Sequence, residues 1–183
     1  AAAVQSPIDY VLDHPEQRAA FGEQEKLRAK ARYERFFRTA GLSAAQQETF
    51  LQHLKANAEA RLDLYAAERA QGYGFYEAPL DPAVYQRFYD LHKQVRTELW
   101  DSMRALLGEA GAEQYNQFSL AIPDRNTVDQ LASRLYDTDT PLTARQAEEI
   151  AGLLRQYPMV TTGGSSGAAE MLNVMNGAPI APA

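Results

Sequence analysis

Three histidines, His14, His53 and His92, are the first residues whose types could do chemistry in this chain. A zinc or iron site on helices uses histidines three or four residues apart, or Glu-x-x-His, and none of the three stands in such a pair. No metal ligand set is expected. Asp137-Thr138-Asp139-Thr140 opens like a calcium loop, but the sixth position, where that loop needs glycine, is Leu142, so the segment reads as a turn. Gly163-Gly164-Ser165-Ser166-Gly167 has no lysine after it and no strand pattern before it, which excludes a phosphate loop. Glu148 and Glu149 are adjacent and fall on different faces of a helix, a poor arrangement for paired acid–base work. No Gly-x-Ser-x-Gly occurs, and the absence of cysteine removes thiolate nucleophiles, disulfides and Fe–S clusters together. The residues point to no enzyme and to no cofactor.

Binding groups are easier to find. Between Glu16 and Arg38 seven bases face four acids, a local charge of +3 in a chain of net −6, which leaves −9 elsewhere. Arg28, Arg32 and Arg35 lie in this segment beside Phe21, Phe36 and Phe37. A basic run on an acidic body is read first as a salt-bridged face and second as a surface for an anionic partner. Tyr73, Phe75 and Tyr76 sit in a glycine-flanked connection and either close the end of a helical hairpin or anchor a partner. The sequence pI near 5.1 argues against nucleic acid as that partner.

The elements that must position these groups are helical almost throughout. Hydrophobic residues at 45% and charged residues at 23% describe a soluble globular composition, and no apolar run approaches the roughly 20 residues that span a bilayer. Asp13 is expected to cap a helix with Pro15 in its first turn, running to Thr39 and stopped by Gly41. Phe21, Leu27, Ala31, Phe36 and Phe37 are its apolar positions. From Ser43 to about Gln71, Phe50, Leu51, Leu54, Ala58, Leu62 and Tyr65 make one stripe. From Pro82 to Leu107, Val84, Phe88, Leu91, Val95, Leu99, Met103 and Leu106 make the cleanest stripe in the chain. Gly108 and Gly111 end it, and helices are expected over 112–121, 124–136 and 143–157. The pattern predicts an all-α protein of about six helices in long antiparallel hairpins. Residues 1–157 form a single helical domain in this reading, and 158–183 a flexible Gly/Pro/Ser-rich tail.

Two helix starts share a pattern: Leu42-Ser43-Ala44-Ala45-Gln46 and Leu142-Thr143-Ala144-Arg145-Gln146. Each is a capping box, the hydroxyl of Ser43 or Thr143 accepting from an N3 amide while Gln46 or Gln146 reaches back to the cap's own N–H. Leu42 or Leu142 packs ahead of it. Leu-Thr-x-x-Gln opening a helix, twice in a helical cysteine-free chain, also resembles the family typified by the periplasmic proteins Spy and CpxP. Here the first copy carries serine for threonine, which preserves the cap chemistry.

That resemblance implies an exported, non-enzymatic envelope-stress protein with long helices forming a curved, often dimeric cradle. Members act as ATP-independent chaperones, as inhibitors of a sensor kinase or as metal-responsive relatives; scarce histidine speaks against the last. The expectation is a periplasmic or secreted protein that binds a protein partner or an unfolded client, with a homodimer compatible with it. The alternative is an assembly module that oligomerises or docks to a membrane-protein partner. The opening Ala-Ala-Ala-Val-Gln-Ser fits the remainder of a processed export signal or an arbitrary boundary.

Overall fold

A computed structural model describes residues 7–72, 81–136 and 138–156. Six α-helices and no strands occur among them: α1 (Pro7–Asp13), α2 (Pro15–Thr39), α3 (Ala44–Ala70), α4 (Pro82–Leu120), α5 (Ile122–Leu135) and α6 (Ala144–Gln156). The chain divides into two compact units, Ala1–Ala112 and Glu113–Ala183. The expected all-α architecture of antiparallel hairpins is the one observed. Tyr73, Phe75, Tyr76 and the tail from Tyr157 onward lie outside the described residues.

In the first unit α2 and α3 form the hairpin from which the core is built. Phe36 is 2% exposed, Phe37 4% and Phe50 0%. The Phe50 ring meets Tyr33 at 5.3 Å and Phe37 at 5.2 Å, both edge-on, the arrangement that opposes a ring edge to a ring face. Ala29, Leu51, Leu62 and Tyr65 extend the same seam. Leu27 was expected on the apolar face of α2 and instead points outward, 69% exposed. Ala29 and Tyr33, two turns of the same helix, take the inward positions in its place.

The reversal between α2 and α3 is made by four residues. Gly41 sits at φ 65°, the left-handed conformation that a side chain disfavours. Its N–H donates to Arg38 O, and the Leu42 N–H donates to Phe37 O at 3.0 Å. These two bonds satisfy the last carbonyls of α2 as a Schellman motif. Ser43, two residues on, already caps α3.

The short helix α1 was not expected. Asp13 closes α1 and pairs with Arg69 at 2.8 Å rather than capping α2. His14 takes the N-cap position of α2 without a side-chain cap bond. Its ring stacks on Tyr10 at 4.0 Å and its Nδ1 lies 2.7 Å from Tyr10 O. A carbonyl can only accept, so Nδ1 carries the proton.

The α4 helix breaks at Gly108, whose φ of 71° and ψ of 172° are non-helical. The stop expected at Gly108 and Gly111 is made by Gly108 alone, and Gly111 lies inside the helix that resumes. In the second unit Tyr115, Ala121, Val128 and Ala151 are buried. The Arg125 guanidinium lies 4.5 Å over the Phe118 ring, a cation–π contact.

Candidate functional site

Local sequence positions the two motif copies identically. At the first, Gln46 N–H donates to Ser43 Oγ at 3.3 Å and Ser43 N–H donates to Gln46 Oε1 at 3.0 Å. At the second, Gln146 N–H donates to Thr143 Oγ1 at 3.3 Å and Thr143 N–H donates to Gln146 Oε1 at 3.0 Å. In both, the hydroxyl also donates to the glutamine oxygen, at 3.0 and 2.8 Å. The loop thereby becomes a closed ring of three bonds that satisfies two otherwise unpaired amides. Leu42 and Leu142 are half-buried. One motif stands in each compact unit.

The residues expected to bind a partner separate into two environments. Phe36 and Phe37 are core residues of the α2–α3 hairpin, and their burial overturns the expectation that they form part of an open apolar surface. Phe21 is half-buried. Arg28, Arg32 and Arg35 are exposed.

Salt bridges account for part of the basic segment. Arg18 pairs with Asp63 at 2.8 Å, Lys26 with Glu48 at 2.6 Å, and Arg28 with Glu25 one turn back. Lys55 of α3 returns the pattern, pairing with Glu23 at 2.5 Å. The hydrogen bond from Lys55 holds the Glu23 carboxyl below its usual range, and that from Lys26 does the same for Glu48. Among the described residues no ion pair reaches Lys30, Arg32 or Arg38. Glu34 and Arg38, spaced to meet on one helix face, stay apart. What remains on the outer side of α2 is a basic row beside the projecting Leu27.

A second polar cluster crosses from α3 to α4, and sequence reasoning missed it. His92 Nε2 lies 2.8 Å from Glu68 Oε1, with side chains only 12% and 15% exposed. The His92 ring packs 5.5 Å from that of Tyr65. Burial raises the Tyr65 hydroxyl above its usual range, and Arg61 opposes that shift. The same two helices are joined again where Asn57 Nδ2 donates to Val95 O at 3.2 Å. The available signal was an intrusion: His92 interrupts the apolar face between Phe88 and Val95, and Glu68 follows Tyr65 by one turn. Because Nε2 is committed to Glu68, the pair ties two helices together and does not present a free imidazole edge on that side.

Among the described residues no group of three His, Asp or Glu side chains could hold a metal ion, and no helix is long and apolar enough to cross a membrane. No family model, curated protein or solved structure matches the chain.

Proposed function

We propose that this protein is a non-enzymatic helical binding protein of the periplasm or secreted space, acting as an ATP-independent chaperone or envelope-stress modulator. The observation that carries this reading is the pair of motif boxes, each opening a helix with the same three bonds. They are the residues on which the resemblance to the Spy and CpxP family rests. The exposed arginines of α2 supply a surface for a loosely held chain, while the glycine-rich segment lacks what nucleotide binding needs.

A second reading is an assembly module that oligomerises or docks to a membrane-protein partner without chaperone activity. The burial of Phe36 and Phe37 favours it, since those rings are spent on the protein's own core. Light scattering of a reduced, aggregating client with stoichiometric protein separates the two. Suppressed aggregation without nucleotide supports the chaperone reading, and unchanged aggregation by a well-folded sample leaves the assembly module.

A further inference from the structure

We infer that the outer face of α2 is a docking surface for an anionic lipid bilayer. Arg28, Arg32, Arg35 and Arg38 follow one another at steps of three and four, so they form a row along one side of the helix about 15 Å long. All four are exposed. Beside them Leu27 is 69% exposed, with exposed Gln24 and Ala31 one turn either side on the same stripe. No core residue lies on this face: Ala29, Tyr33, Phe36 and Phe37 all point the other way.

The shape of the face selects the occupant. A protein partner is held by several aromatic or aliphatic anchors seated in pockets, and this face has one projecting leucine on a convex helix. A bilayer asks for less. Arginine stems lie along the headgroup region while their guanidinium forks bind phosphate oxygens, and a single leucine enters the acyl boundary. The net charge of −6 does not prevent this, because the Debye length is about 8 Å at physiological ionic strength. The lipid surface senses the local row, in which Glu34 is the one acid between Leu27 and Arg38 and Glu25, one turn before Arg28, pairs with that arginine. This surface uses the same α2 arginines that the chaperone reading gives to a loosely held chain, so lipid and client would compete for it, and it serves the assembly reading by holding the protein at a membrane.

Flotation with phosphatidylcholine vesicles, with and without phosphatidylglycerol, tests it on the full chain. Expected is flotation with the anionic vesicles only, weakening by about fivefold for each base removed and lost in high salt. Arg32→Glu with Arg38→Glu should abolish it while helicity is retained and the melting temperature falls only slightly, since neither side chain makes an ion pair among the described residues and only Arg38 lies in the last turn of α2. The chain lacks cysteine, so Leu27→Cys carries a unique polarity-sensitive label; its emission should shift to the blue on anionic vesicles, and that of a label at Gln94→Cys on α4 should not. Equal flotation with neutral vesicles, no flotation at all, or flotation indifferent to the double reversal would overturn the proposal. Binding of an acidic peptide such as polyglutamate to this face, without vesicle binding, would assign it to a protein segment instead.

Discussion

His92 Nε2 donates to Glu68 Oε1 across 2.8 Å between α4 and α3, at a point where both side chains are almost withdrawn from water. A hydrogen bond in that position matters chiefly through what its loss leaves behind. Replacing His92 by leucine strands a half-buried carboxylate, and replacing Glu68 by leucine strands the ring N–H. Each should lower stability by about 1–3 kcal/mol. The double variant should lose less than the two single losses together, with a coupling near 1 kcal/mol. Chemical denaturation of the four proteins measures it, and strict additivity would mean the pair contributes no clasp.

The two capping boxes make a matched test. Ser43→Ala and Thr143→Ala should each cost about 1 kcal/mol, because each frees an N-terminal amide from its acceptor. Gln46→Ala and Gln146→Ala should cost less, the hydroxyl remaining in place. Denaturant melts with a probe in each unit would show whether the losses stay in the unit that carries the motif.

Phe50 and Leu27 predict opposite outcomes for superficially similar truncations. Phe50→Ala removes the ring on which Tyr33, Phe36 and Phe37 converge, and about 3–5 kcal/mol should go with it. Leu27→Ala, on the solvent side, should stay within about 0.5 kcal/mol. Thermal melts would reverse this order only if α2 faced the other way.

Acid should loosen the α2–α3 hairpin. Glu23 and Glu48 carry folded carboxyls held below the usual 4.5 by Lys55 and Lys26, so the folded state binds fewer protons than the unfolded one. Their contribution is present above that value and disappears as pH falls below it. Both pairs are solvent-exposed, so the effect is small and shrinks with salt. Melting temperature measured from pH 6 to pH 3 should fall less steeply for Glu23→Gln with Glu48→Gln than for the parent. Tyr65 has the opposite sign: its hydroxyl is raised by burial, so stability declines above about pH 10, and Tyr65→Phe should flatten that limb.

Two glycines separate conformational need from convenience. Gly108 lies at φ 71°, and alanine there should cost about 1–3 kcal/mol through backbone strain alone, since nothing crowds the position. Gly22 is ordinary helix, and a methyl group would meet the Glu59 side chain from Oε1 to Cγ, an exposed flexible chain that must rotate aside. Gly22→Ala should therefore be neutral or add up to about 1 kcal/mol. Melting temperatures of the two variants should move in opposite directions or differ clearly in size.

Features decided within one or two helical turns were legible in the sequence. Ser43 with Gln46 and Thr143 with Gln146 need only each other, and the stripes through Phe50, Leu62, Phe88 and Met103 need only a helical period. The facing of α2 was harder, because Leu27 with Ala31 and Tyr33 with Phe36 are both apolar pairs on the same helix. Mating with α3 settles which goes inward, a choice made by residues as far off as Phe50. The same holds for Glu68 and His92, 24 residues apart, and for Asp13, whose partner Arg69 belongs to another helix. Helix α1 has seven residues, too few for a period to show.

The tight reversal at Ala40-Gly41-Leu42-Ser43 has a consequence for the lengths this hairpin can tolerate. Leu42 alone donates its N–H to Phe37 and accepts from Gln47 Nε2 at 2.8 Å, while Ser43 is locked to Gln46. No residue in the connection is slack. Adding or deleting one would turn α3 by about 100° about its own axis and carry Phe50 round from the aromatic cluster to the flank of the hairpin. The turn therefore acts as a gauge for the whole unit, fixing the phase of a 27-residue helix from four positions.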